Sequence, residues 1–254
     1  SYSPVQIMAY AGLFSLPLVA LLQLYHRGPL RPARPWLMAL RTVTLVINAL
    51  LVTYVLTVLP LAQAYAIFFT LPLMVTLMAW PALGERVDLV SGLAILLGLA
   101  GVLVALNPGR VALQIGHLAA LGAAFTAAIH YVVIRRTGAV EGDVPQFLYP
   151  LLGQTLVALV LLPGQHVPMP AADLMVVAGL ALAGFAGTLA MFAAYRAAAP
   201  IVVAPMQYSQ IGWAALFGAL FFDEPMGPTL LFGMLLIAAA GIIVVARQGR
   251  KAGD

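Results

Sequence analysis

Cysteine is absent from the 254 residues, which removes disulfide frameworks, thiolate metal sites and cysteine nucleophiles from consideration. Charge is scarce as well: charged residues make up 8% of the chain, where a soluble domain carries about a quarter. There is no GxSxG and no HExxH, and Ser15, Ser91 and Ser209 do not stand in nucleophile-like turns, so the common hydrolase designs are missing. The carboxylates Glu85, Asp88, Glu141, Asp143, Asp173, Asp223 and Glu224 all fall at the ends of apolar stretches or between them, and Asp254 is the last residue. An acid-based proton relay at the centre of a membrane span is therefore not visible. Neither is a filter-like loop of the kind a pore requires.

What is abundant is hydrocarbon. Hydrophobic residues are 63% of the sequence and its mean hydropathy is +1.05. Apolar runs of roughly 20 residues, each long enough for a hydrocarbon core of about 30 Å, recur from end to end. Gly, Pro and charge clusters divide them into nine spans, near 4–25, 36–58, 61–82, 88–106, 117–135, 145–163, 173–196, 201–222 and 229–247. This is an all-α polytopic membrane protein.

The pI near 9.6 reflects arginines at span ends rather than a nucleic-acid-binding patch. Arg27, Arg31 and Arg34, then Arg86, then Arg135 and Arg136, then Arg196, then Arg247, Arg250 and Lys251 mark alternate loops and the tail, which the positive-inside rule assigns to the cytoplasm. Arg110 is the exception, and Arg41, just inside the second span, is expected to snorkel to the inner face. The chain is expected to lie in the cell inner (plasma) membrane with its C-terminus cytoplasmic.

Two stretches repeat one plan. LPLAQAYAIFFTLPLMVTLMAWPALGE (59–85) and APIVVAPMQYSQIGWAALFGALFFDE (199–224) each run from a proline-broken apolar segment to a glutamate, followed by a Gly-spaced span. Glu85 to Gly101 is 16 residues and Glu224 to Gly241 is 17. The division is residues 1–110 and 111–254, two repeats within one transmembrane domain. The span at 117–135 has no counterpart in the first half, so the pattern is five plus five helices with the first missing from this chain, which begins SYSPVQ. An odd number of helices per repeat inverts the second half relative to the first, as in many secondary transporters.

On these residues, together with the Asn107–Gly109 NPG, the chain resembles the EamA-type branch of the drug/metabolite transporter superfamily, with an aromatic-amino-acid-exporter-like cast. The resemblance implies a ten-helix inverted-repeat bundle whose central cavity is lined here by the spans at 36–58, 61–82, 173–196 and 201–222. Substrates in that superfamily range over amino acids, nucleotide-related metabolites and drugs.

Polar and aromatic residues within those spans form the candidate binding set. Tyr65, Phe69, Pro72 and Thr76 follow i, i+4, i+7, i+11 spacing and share a helical face. Phe68 and Thr70 stand beside them, and Gln207, Tyr208, Ser209, Gln210 and Trp213 cluster on the repeat-related helix. Asn48, with Thr44 one turn away, is added from the second span. Set against this, single Gln, Ser or Asn residues also join helices by hydrogen bonds worth about 1 kcal/mol. His130 is expected to be a neutral, hydrogen-bonded histidine. Glu85, Arg196 and Glu224 are helix-end or gating candidates, the two glutamates through the helix macrodipole.

The expectation is a carrier working by alternating access, exporting small organic metabolites, with amino acids of aromatic or apolar type favoured. The alternatives are an uptake carrier, a carrier of drugs or nucleotide-related metabolites, and, further off, a channel or an intramembrane enzyme. No cofactor, metal or nucleic-acid partner is expected, only a small-molecule substrate and the lipid bilayer. Monomer and homodimer are both left open.

Overall fold

The computed structural model describes residues 2–59, 61–84, 88–106, 114–138, 140–221 and 227–251. Among them there is no strand. Eleven helical segments follow one another: α1 (Pro4–His26), α2 (Pro35–Val58), α3 (Leu61–Phe68), α4 (Leu71–Leu83), α5 (Leu89–Leu106), α6 (Ile115–Thr137), α7 (Asp143–Leu161), α8 (Ala171–Ala197), α9 (Pro200–Met206), α10 (Ser209–Phe221) and α11 (Pro228–Lys251). Eleven segments make nine spans, because α3 with α4, and α9 with α10, are single spans interrupted by two residues. Among the described residues, α1, α2, α6, α7 and α8 are each long and apolar enough to cross a membrane unbroken.

Local chemistry sets several boundaries. Ser3 caps α1 by accepting from the Gln6 N–H at 3.1 Å, and Pro4 occupies the first turn, where its missing N–H costs nothing. Gly84 closes α4 at φ 73°, a left-handed conformation that suits glycine. Asp88 caps α5, its Oδ1 accepting from the Ser91 N–H at 2.8 Å. The expected helix-stabilising role of Glu85 falls on a residue outside the described set, as does that of Glu224, and Asp88 is the acid that holds this helix start.

The chain divides into two compact units: residues 1–53 with 133–197, and 54–132 with 198–254. In the first unit α1 packs on α7 and α8. The α1–α7 approach is close at Gly12, where an added Cβ would overlap the Thr155 side chain. At one end of this unit the fully buried Gln6 amide clasps the backbone of Val167, donating to its carbonyl at 2.6 Å and accepting from its N–H at 3.0 Å. In the second unit α5 and α11 are the main packing pair, brought together at Gly101, where a Cβ would lie 2.8 Å from the Gly233 carbonyl oxygen. Small residues at such contacts are what membrane helices use to gain van der Waals contact, since lipid offers no hydrophobic drive between them. α4 and α9, one segment from each broken span, also pack together in this unit.

Candidate functional site

The two interruptions fall at corresponding places, Phe69–Thr70 in one span and Gln207–Tyr208 in the other. Thr70 lies 15 residues before Glu85, and Tyr208 16 before Glu224. Each break has a proline nearby. Pro72 has no N–H for the carbonyl of Phe68, and Pro205 none for that of Ile201. The backbone responds by tightening: Thr70 N–H donates to Ile67 at 2.9 Å, and Gln207, Tyr208, Gln210 and Ile211 each donate three residues back at 3.1–3.2 Å, the 3₁₀ pattern. The Thr70 hydroxyl also donates to the Ile67 carbonyl at 2.7 Å.

The breaks meet within the second unit. The Phe69 ring lies 6.1 Å from that of Tyr208, and Tyr65 leans on Phe68 and Phe69 at 5.9 and 6.1 Å. Tyr208 is 0% exposed and belongs to a core cluster with Phe69, Val102, Ile211 and Ile237. Gly98 of α5 makes the room: a Cβ there would lie 2.7 Å from the Tyr208 ring. The Tyr208 hydroxyl, buried with it, has no hydrogen-bond partner among the described residues, a condition that costs about 1–3 kcal/mol.

The sequence-derived binding residues therefore fall into distinct surroundings. Phe69, Tyr208 and Gln207 are buried, along with Pro72 and Thr76, whose hydroxyl turns back to the Pro72 carbonyl at 2.8 Å. Ser209 and Gln210 are exposed, and so are Tyr65 (43%) and Trp213 (58%). Phe68 and Thr70 are half-buried. Ser209, Gly212, Trp213 and Leu216 fall on one face of α10 and, with Met234 of α11, line a shallow recess of about 310 Å³. Asn48 is half-buried in the first unit. Its neighbour Thr44 donates to the Leu40 and Arg41 carbonyls of its own helix rather than pointing into open space. His130 is buried, edge-on to Tyr131 at 5.3 Å.

The first unit holds a polar cluster that sequence reasoning described differently. Arg41 does not snorkel: it is 1% exposed, donates to Gln146 Oε1 at 2.9 Å and lies 4.5 Å over the Phe192 ring. Six residues into α2, about 9 Å from its start, the side chain finds an amide and an aromatic face closer than water, and a cation–π contact strengthens when desolvated. Gln146 and Phe192 carried no signal of their own beyond being a polar and an aromatic residue near helix ends. Arg196 pairs with Asp143, and the Arg135 guanidinium donates to the Arg196 carbonyl at 2.8 Å at the end of α8, a cation where the helix dipole favours one. Glu141 is buried, its two oxygens accepting from the Ala33 and Arg34 N–H groups at 2.9 and 3.2 Å.

The EamA-like transporter family matches residues 1–107 and 114–246, and the chain belongs to that family. It is 22% identical over 234 residues to an S-adenosylmethionine uptake transporter of Rickettsia bellii (strain RML369-C), covering 91% of this chain and 79% of that protein. A protein of known crystal structure shares the fold with a TM-score of 0.83 at 20% identity, over 96% of this chain and 88% of its own. The protein is thus a multi-pass membrane transporter.

Proposed function

We propose that the chain is an alternating-access secondary carrier in the inner membrane, built as an inverted repeat over residues 1–110 and 111–254, and that it exports small amphipathic metabolites of amino-acid type. The observation that carries this reading is the pair of spans broken at corresponding positions, with polar and aromatic side chains gathered at both breaks. An unsatisfied polar group in hydrocarbon costs several kcal/mol, so exposed Ser209 and Gln210 call for water or cargo beside them. Backbone carbonyls facing Pro72 and Pro205 suit an ammonium group. Trp213, Tyr65 and the apolar recess suit a ring or branched side chain, the division of labour usual in small-molecule sites. Tyr208 contributes its hydroxyl once its ring turns out of the core.

A second reading is uptake of S-adenosylmethionine, favoured by the named activity of the Rickettsia relative. That molecule carries the same amino-acid head and a planar base. Counterflow in proteoliposomes preloaded with phenylalanine, leucine or S-adenosylmethionine separates the two. Gln210→Ala and Trp213→Ala, both at exposed positions, are expected to slow counterflow at least several-fold with thermal stability unchanged. Tyr208→Phe is the matching probe at the core position, since alanine there would cost about 3–5 kcal/mol in packing alone. Normal flux in all three variants would place the site elsewhere.

A further inference from the structure

The loop from α1 to α2 presents Arg27, Arg31 and Arg34 to the exterior, and Arg136 is exposed at the end of α6. Contacts inside the first unit gather them onto one surface. Glu141 grips the backbone at Ala33 and Arg34, and the Gln23 amide holds the Gly28 carbonyl at 2.8 Å. Gly138, two residues past Arg136, abuts the Arg196 side chain. Gly28, Pro29, Glu141, Asp143 and Arg196 line a polar cavity of about 280 Å³ set into this surface. Both carboxylates in its wall are engaged, Glu141 by the two backbone N–H groups and Asp143 by Arg196. The Arg196 Nε–H, by contrast, is buried without an acceptor among the described residues. Immediately beside the arginines stand Leu24, Tyr25 and Trp36, among the most exposed apolar side chains of the protein at 70–84%.

We propose that this surface binds the headgroup of an anionic phospholipid. The phosphodiester sits among Arg27, Arg31, Arg34 and Arg136, the headgroup hydroxyls enter the cavity beside Arg196, and the acyl chains run along Leu24, Tyr25 and Trp36. Tyrosine and tryptophan are the residues that sit at headgroup level, and basic pockets beside membrane helices select acidic lipids. A free phosphate would use the guanidiniums and leave the aromatic fringe unexplained. Each arginine near such a surface contributes about 1 kcal/mol, or roughly fivefold in affinity.

Native mass spectrometry of the full chain in detergent, titrated with phosphatidylglycerol or with phosphatidylcholine of the same acyl composition, tests this. The expected result is retention of phosphatidylglycerol over phosphatidylcholine by tenfold or more. Arg31→Gln should weaken it about fivefold and Arg31→Lys should largely restore it, while soluble glycerol 3-phosphate at the same concentration should not displace the lipid. A salt titration of the unaltered protein gives a readout that needs no variant, with retention falling as ionic strength rises. Equal retention of the two lipids, an Arg31→Gln protein that holds phosphatidylglycerol as tightly as the parent, or salt-independent retention would overturn the proposal. Displacement by glycerol 3-phosphate would do so too, by pointing to a free-phosphate site.

Discussion

Gly98 offers the sharpest test of how the broken spans are held. A methyl group at this position would sit 2.7 and 2.8 Å from Cε2 and Cδ2 of the Tyr208 ring and 3.4 Å from Ala240 Cβ. Carbon atoms pack best at about 3.5–4.0 Å, so the ring must move by close to 1 Å or α5 must back away from α11. Tyr208 is fully buried among Val102, Ile211 and Ile237, so a small shift of the ring presses on packed neighbours. Overpacking of this kind costs about 1–3 kcal/mol. The exchange of glycine for alanine in a helix returns about 1 kcal/mol, so Gly98→Ala should destabilise by up to about 2 kcal/mol net. The clash is with one side chain, and removing that side chain should remove it. In a Tyr208→Leu background Gly98→Ala becomes neutral or favourable, a coupling of about 1–3 kcal/mol across the double-mutant cycle. Gly101→Ala is the control, because its Cβ meets the Gly233 backbone oxygen at 2.8 Å and no change at Tyr208 relieves that. Equilibrium unfolding of the detergent-solubilised variants reads all of these. If Gly98→Ala is equally costly with and without the Tyr208 ring, then the glycine serves the α5–α11 contact and not the break.

Two further outcomes are expected. Single cysteines placed at exposed Arg136 and Gln165 should react with impermeant maleimide from the cytoplasm and from outside respectively, and the reverse pattern would overturn the orientation read from the arginines; Thr137 is unsuitable as a probe because it is 1% exposed. Gln6→Ala should cost about 2 kcal/mol, since it strands the Val167 N–H and carbonyl that the amide now satisfies, whereas an unchanged unfolding midpoint would mean that water replaces the amide freely.

The spans were legible because hydrocarbon thickness imposes a length that composition reveals directly: each of the nine expected spans coincides with one helix or one broken pair. The breaks were half legible. Pro72 and Pro205 announced that two helices would be interrupted, yet the interruptions fall at Phe69–Thr70, on the turn before Pro72 where its missing N–H frees a carbonyl, and at Gln207–Tyr208, two residues past Pro205. Spacing alone put Tyr65 with Phe69, Pro72 and Thr76, and the break divides that face: the last three are buried while Tyr65 is exposed. Burial of Arg41 was not legible at all. It depends on Gln146 and Phe192, which lie 105 and 151 residues further along the chain, and on side-chain contacts that no local pattern encodes.

That distance along the chain also orders events during synthesis. Gln146 leaves the ribosome 105 residues after Arg41, a delay of about 5–20 s at ordinary elongation rates, and Phe192 follows later still. A guanidinium held near the centre of a newly inserted helix would oppose its insertion by about 2.5–3.5 kcal/mol. Six residues from the helix start, its long stem can instead reach the headgroups until the two later helices arrive. The same residue is thus suited first to insertion and afterwards to assembly, an interfacial anchor in the nascent chain that becomes an interior one when α7 and α8 close over it.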